Sequence, residues 1–290
     1  MPWLNQVLTM SYEAMRITPI TAQPIIQIPF LNAGRGPGAF YVDQLPVHTA
    51  EVVGLPDELD AIVATADLQG RERFEDGNGG PLRLLGELLP EQLSAEILPR
   101  LEVSSRRTGV ILAGDFYTVP GLDKRGGSGD VTGVWRAFSG EFRWVAGVAG
   151  NHDMFGDHAA PTSRLGNNTH YLDGTSTTLD SLSVVGIGGI IGNPRKPHRK
   201  TDDEFVELIE KSSEVRPDIL VMHDGPDLPE ESLRGSPRIR LAVEQSSIPL
   251  IVRGHAHWPA PLVNLANGTQ VLNVHGRVVV MHHKSKQASR

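Results

Sequence analysis

The sequence predicts a layered α/β domain, and three observations carry that prediction. From Leu59 onward, short apolar runs of strand length alternate with stretches whose apolar residues recur at helical spacing. Several of these runs empty into loops holding Asp, Asn, Gly or His, which is where an open α/β sheet places its chemistry. At 290 residues the chain is long enough to bury a core, as one large domain or two small ones.

Residues 1–58 read differently. Pro2, Pro19, Pro24, Pro29, Pro37, Pro46 and Pro56 exclude long helices and favour extended chain, with Ile25-Ile26-Gln27-Ile28 a candidate edge strand. The expectation is an extended arm packed on the main domain or on a partner, through which the chain could form a homo-oligomer. The main domain then occupies 59–290. Its first strand is Ala61-Ile62-Val63-Ala64-Thr65-Ala66, ending on Asp67-Leu68-Gln69-Gly70-Arg71. Leu82, Leu85, Leu88 and Leu89 mark a helix face that Pro90 should interrupt, with a second helix over 91–101. Gly109-Val110-Ile111-Leu112-Ala113 forms the next strand, ending on Gly114-Asp115. Asp130 is a candidate N-cap for a helix carrying Val131, Val134, Trp135 and Phe138.

A strand through Trp144-Val145-Ala146-Gly147-Val148 leads into Gly150-Asn151-His152-Asp153. Residues 171–191 suggest hairpin strands, and Thr201 with Glu204 makes a capping box before Phe205, Leu208 and Ile209. Ile219-Leu220-Val221-Met222 runs into His223, and Pro249-Leu250-Ile251-Val252 into Gly254-His255-Ala256-His257. Residues 261–281 suggest antiparallel strands turning at Asn267-Gly268 and His275-Gly276.

Composition narrows the function. Lys+Arg 27 against Asp+Glu 34 gives a net charge of −7, which disfavours a polymeric nucleic-acid partner. The chain has no cysteine, so a metal would be held by His, Asp, Glu, Asn or Gln. No apolar run approaches the roughly 20 residues that span a bilayer, and the start lacks a signal-peptide pattern. A cytoplasmic protein without a membrane partner is the expectation.

Asp67, Asp115, Asn151, His223 and the His255/His257 pair all fall at or just past strand ends. Singly, each has a plain explanation as a cap, a turn residue or a hydrogen-bonded core histidine. Jointly they would crowd carboxylates and imidazoles together, and crowded carboxylates repel unless a cation compensates them. In extended chain, residues two apart point the same way, so His255 and His257 can face one site, as can Asp67 and Gln69. Oxygen and imidazole donors without sulfur suit Mn²⁺, Fe or Zn²⁺.

Asp67-Leu68-Gln69, Gly114-Asp115, Gly150-Asn151-His152-Asp153, His223 and Gly254-His255-Ala256-His257 stand in the order of the five blocks of the calcineurin-like metallophosphoesterases, which this chain resembles over about 60–282. The resemblance implies a four-layer α/β/β/α sandwich, with two mixed β-sheets flanked by helices, and two divalent ions, Mn²⁺ foremost. One ion would be held by Asp67, Gln69, Asp115 and His257, the other by Asp115, Asn151, His223 and His255. It also implies catalysis by His152, protonating the leaving group, with Asp153 orienting its ring. A hydroxide between the ions would attack phosphorus.

Gln69 departs from the pattern of the family, most of whose members have His there, and is a weaker neutral donor. The implied activity is hydrolysis of a small phosphodiester or phosphomonoester, nucleotide-derived compounds included, since the arginines of the phosphoprotein phosphatase branch are absent. Substrate would meet Asn151 and His152, with Arg71, Arg73, Arg125 and Arg253 as candidate contacts. The alternative is a non-catalytic scaffold that keeps the fold, with Gln69 as the first lost ligand. His48, His158, His170, His198, His275, His282 and His283 match no block, so solvated or structural roles are expected of them; His198 could fall on a loop near substrate. Gly186-Ile187-Gly188-Gly189 lacks a following helix and suggests a close backbone approach.

Overall fold

The computed structural model of the protein describes residues 14–34, 36, 39–72, 82–124 and 126–283. In chain order, β1 (Arg16–Ile20), β2 (Ile26–Ala33) and β3 (Phe40–Val53) precede β4 (Ala61–Ala66) and α1 (Leu85–Gln92). Then come β5 (Thr108–Leu112), the short β6 (Gly129–Asp130), α2 (Thr132–Glu141), β7 (Trp144–Gly147), the short β8 (Asp153–Met154) and β9 (Thr169–Tyr171). β10 (Thr175–Leu179), β11 (Leu182–Ile187), β12 (Ile190–Ile191) and β13 (Arg199–Lys200) lead to α3 (Asp202–Glu214) and β14 (Ile219–Met222). The chain ends with α4 (Pro237–Glu244), β15 (Leu250–Arg253), β16 (Leu262–Asn264), β17 (Gln270–Asn273) and β18 (Arg277–His283).

Two mixed sheets stack face to face. The eight-stranded one has the order β1-β3-β18-β4-β5-β7-β9, with β2 also paired to β3; the six-stranded one runs β10-β11-β14-β15-β17-β16. Strand alternation explains the layering. Ala61 and Val63 of β4, with Val110 and Leu112 of β5, pack outward on Leu85, Leu89, Val134, Trp135 and Phe138 of α1 and α2. Ile62, Ala64, Ile111 and Ala146 point inward, meeting Ile219, Val221, Leu250 and Val252 of the second sheet. On that sheet's far face, Leu220, Met222 and Ile251 pack on Phe205, Ile209, Ile239 and Val243 of α3 and α4. The result is an α/β/β/α sandwich whose central strands are covered on both faces, hence their continuous apolar sequences.

β1, β2 and β3 are built into this sandwich. β3 pairs in parallel with β18 from Val47 to Val52, and carries β2 and β1 in succession along its other edge. The described part of the expected arm is therefore hydrogen-bonded sheet, with Val47, Ala50 and Val52 buried.

Three local expectations change. Pro90 lies inside α1, which continues past it into a π turn over Leu93–Ile97 and a 3₁₀ turn over Leu98–Leu101. Leu85, Leu89, Leu93 and Ile97 all reach the same buried cluster, and that packing outweighs the helix-breaking tendency of proline. Asp130 does not occupy the N-cap position of α2, which falls on Val131, but its carboxylate still accepts from the Thr132 N–H at 2.9 Å. The turn at His275-Gly276 is no hairpin: it carries the chain from β17 in one sheet to β18 in the other. The capping box at Thr201 and Glu204 forms, and α4 opens with Ser236 accepting from Ile239 N–H and Pro237 in its first turn.

Candidate metal centre

The parallel strands β4, β5 and β7 of one sheet and β14, β15 and β17 of the other bring their C-terminal ends to a common edge. Asp67, Asp115 and His255 lie just past three of these ends with φ of 55°, 61° and 64°. Asp and His are among the side chains that tolerate the left-handed region best, and backbone held there is a recurrent feature of functional sites. The loops hold one another in place. Asp67 N–H donates to Gly114 O at 2.8 Å, and His255 N–H to Asp67 Oδ2 at 2.9 Å. At Gly150 an added Cβ would meet Asp115 Oδ1 at 2.1 Å, and at Gly254 it would meet Asp67 Oδ2 at 2.5 Å, so both motif glycines mark contacts that admit no side chain.

Asp115, His223 and His255 form the tight cluster, each offering a donor atom within 4.8 Å of the others. His223 is fully buried. Its Nδ1 faces Ala113 O at 2.7 Å, which turns Nε2 toward Asp115 Oδ2 at 3.3 Å. Burial opposes charge on both partners, but their mutual attraction prevails, holding Asp115 down at about 2 and His223 up at about 10. Burial and the neighbouring His223 lower the pKa of His255.

Gln69 reaches the same carboxylate, with Nε2 donating to Asp115 Oδ2 at 3.3 Å. Oε1 and Nε2 of a side-chain amide have the same shape, so turning Gln69 about would present its oxygen there instead. Asn151 is buried, and its Oδ1 has no hydrogen-bond partner among the described residues. His257 stands further out, on the wall of a cavity of about 440 Å³ that Asp67 and Gln69 also line. Asn32, Asp43 and Gln44, from β2 and β3, line it as well.

The donor set fits divalent cations. Asn151 Oδ1 and His223 Nε2 are buried with no hydrogen-bond partner among the described residues, a costly arrangement unless a further group occupies them; at His223 Nε2, 3.3 Å from the Asp115 carboxylate, a bound cation would stand in for the proton. Both belong to the ligand set that the sequence blocks implied, and no thiolate is present to demand a softer ion.

Two expected roles change. Asp153 does not orient the His152 ring: Oδ2 accepts from Asp115 and Gly150 N–H and Oδ1 from Phe116 N–H, all at 2.8 Å. Completely buried, this carboxylate is the clasp between two site loops; burial and the charge of Asp115 push it up to about 7. Arg71 is likewise spent on structure. Its guanidinium donates to the carbonyls of Leu82, Thr118 and Val119, and it is only 5% exposed. Arg253 is fully buried over the Trp258 ring, donating from Nη1 to Arg234 O. Arg73 and Arg125 lie outside the described residues.

His152 donates its backbone N–H to Asp115 Oδ1 at 2.8 Å, and its ring lies beside Gly126. His198 packs against the Asp153 backbone, where burial lowers its pKa. His275, which fits none of the sequence blocks, lines the cavity with its Nδ1 3.1 Å from Asp67 Oδ1 and its ring 5.8 Å from that of His257. The signal that could have found it was its place just past the apolar run of β17, the same position that singled out the other histidines.

A four-layer α/β/β/α sandwich with carboxylates and imidazoles gathered at the strand ends of both sheets has the metallophosphoesterase architecture. The family model for calcineurin-like phosphoesterases matches residues 61–259, and the chain belongs to that family. Among solved structures it is similar to TT1561 of Thermus thermophilus, at 15% identity over 74% of this chain and 88% of that one, with a TM-score of 0.49. Another is the phosphopantetheinyl hydrolase PptH of Mycobacterium tuberculosis, at 16% identity over 74% and 88%, with a TM-score of 0.39. The sulfate thiohydrolase SoxB of Thermus thermophilus shares 13% identity over 79% of this chain and 57% of that one, with a TM-score of 0.37. Likenesses this distant add nothing to the family assignment. Among curated proteins no sequence matches.

Proposed function

We propose that the protein is a metal-dependent phosphoesterase that hydrolyses a small phosphodiester or phosphomonoester, of the size of a nucleotide or less. The observation that carries this reading is the pair of buried, unpaired donors, Asn151 Oδ1 and His223 Nε2, beside the Asp115, His223 and His255 cluster. Asp67, Gln69, Asp115 and His257 would hold one ion, and Asp115, Asn151, His223 and His255 the other, with Mn²⁺ the first candidate and Fe or Zn²⁺ the alternatives. Bound divalent ions supply Lewis-acid activation of water and neutralise charge on the phosphoryl group.

The chain's own residues do the rest. Asp115 contributes an anionic carboxylate between the two sets of donors, fixed in place by the His152 N–H and the His223 ring. His152, on the loop that carries Asn151, donates a proton to the oxygen of the departing group. Asp153 keeps the Asp115 and Gly150 loops in register so that these groups meet. The cavity of about 440 Å³ falls within the usual range for small-molecule sites, and Asn32 and Gln44 on its wall offer hydrogen bonds to a polar substrate remainder.

The test is metal analysis of the purified protein, together with hydrolysis of bis-p-nitrophenyl phosphate and p-nitrophenyl phosphate in added Mn²⁺, then a panel of nucleotides and cyclic nucleotides. Turnover that requires the metal is the expected result. Bound metal without turnover of any ester would sink the enzymatic reading and leave a metal-binding scaffold.

A further inference from the structure

The Asp67 end of the site lacks the histidine that its sequence block would supply, because Gln69 stands there. A second imidazole has come in from elsewhere in the chain. After β17 the backbone leaves the six-stranded sheet, and Val274 N–H donates to Arg253 O at 2.8 Å and Gly276 N–H to Ala66 O at 3.0 Å. His275 is thereby clamped between the ends of β15 and β4, next to Asp67. Its own N–H donates to Asn273 Oδ1 at 3.2 Å, and Gly276, at φ 60°, makes the turn that starts β18.

The ring's surroundings show an unfilled bond. His275 Nδ1 is buried and has no hydrogen-bond partner among the described residues, although Asp67 Oδ1 is only 3.1 Å away. The two atoms are close but are not aligned to share a proton. His223 Nε2 and Asp115 Oδ2 stand in the same relation, 3.3 Å apart with the nitrogen unpaired. Neighbouring ligands of one ion are spaced this way: bonds of about 2.1 Å at right angles put their donor atoms about 3 Å apart. His257, in edge-to-face contact with His275, and Gln69 share the same cavity wall.

We propose that His275 is a metal ligand, replacing at the Asp67 site the histidine that Gln69 displaced, and that Gln69 serves there chiefly as a hydrogen-bond partner of Asp115. The inference rests on the proposed two-ion centre and amends its first ligand set, His275 taking the place given there to Gln69. It accounts together for three facts: an atypical residue in the first sequence block, an unmatched histidine against the first aspartate, and an unpaired nitrogen facing that aspartate.

Equilibrium dialysis of the full chain against Mn²⁺ alone, read by elemental analysis, tests it without reference to activity. Wild-type protein should bind two ions. His275→Ala should weaken one of them at least about tenfold, as disturbing a ligand shell does, and leave the other unchanged. Gln69→Ala should alter neither by more than about twofold, and Gln69→His in the His275→Ala background should restore the weakened ion. His275→Gln, which keeps most of the volume, should lose the same ion and guards against a folding defect in the alanine variant, with circular dichroism as the check.

Two ions retained by His275→Ala or His275→Gln at wild-type affinity would overturn the assignment, as would loss of an ion in Gln69→Ala alone. Wild-type protein that binds fewer than two ions overturns it as well. Ester hydrolysis separates this from the functional reading. A protein that loses one ion through His275 yet hydrolyses no ester keeps the ligand assignment and loses the proposed activity, whereas hydrolysis with both ions held in His275→Ala does the reverse.

Discussion

Asp153 and His152 are adjacent in sequence and opposite in task. Three buried backbone N–H groups, of Asp115, Gly150 and Phe116, end on the Asp153 carboxylate, and removing it would leave all three without that acceptor. Asp153→Ala should therefore lower stability by at least about 2 kcal/mol, since a buried unsatisfied donor costs roughly 1–3 kcal/mol. Asp153→Asn, which keeps one oxygen, should fall between the two; urea unfolding gives the order, and an alanine variant as stable as wild type would refute the clasp. His152 stands on the same loop with its ring at the site. His152→Ala should keep its metal and slow turnover of a poor-leaving-group ester by about 10²- to 10⁴-fold, the range for general acid catalysis. Steady-state kinetics beside metal analysis measures this, and an unchanged rate would remove His152 from the proton transfer.

The elements carry their own constraints, and the turn between β10 and β11 ties the two sheets together. Asp180 in that turn accepts from both Arg143 nitrogens, Nε and Nη2, and from Trp144 Nε1 at the start of β7. The Arg143 hydrogen bonds foremost, then Trp144 and the Arg143 charge, depress the pKa of Asp180 against a smaller effect of burial. The sign follows from proton linkage. A carboxylate depressed in the folded state contributes stability above its unfolded value of about 3.9 and loses it as pH falls through the folded value. The stability gap between wild type and Asp180→Asn should thus be full at about pH 5 and shrink as the solution is taken into acid below about pH 4. Denaturant melts on both sides of that value check it; a gap that widens in acid would be the wrong sign. At this scale the sequence was uneven. The capping box of α3 was legible because its signal is local, while α4 was not, since its eight residues bury only Ile239, Ala242 and Val243 behind two arginines. Ser236-Pro237 was the remaining clue.

Across the whole molecule, the N-terminal strands are inseparable from the core that carries the site. β3 lies between β18 and the β1 and β2 pair, and its neighbour β18 is joined on the other side to β4, the strand that ends at Asp67. Asn32, Asp43 and Gln44 also wall the cavity. A chain beginning at residue 59 should strip the edge of β18, expose its apolar face and fail to unfold cooperatively; thermal melts and solubility of the truncated chain test this. Sharp, wild-type-like unfolding would show that these strands are dispensable to the core. Among the described residues no helix is long and apolar enough to cross a membrane.

What the sequence determined by itself was a set of candidate donors and their order: Asp67, Asp115, Asn151, His223, His255 and His257 follow apolar runs, and a run of strand length announces both a buried strand and its end. Burial is a local property, so it leaves a periodic trace. Only the tertiary structure decided which of these atoms meet and which neighbours join them. Arg71 was turned inward to carbonyls, Asp153 was given to backbone N–H groups, and β1, β2 and β3 were placed in the sheet. His275 reached Asp67 because the chain changes sheets after β17, and two segments so distant along the chain share no periodicity that could record their contact.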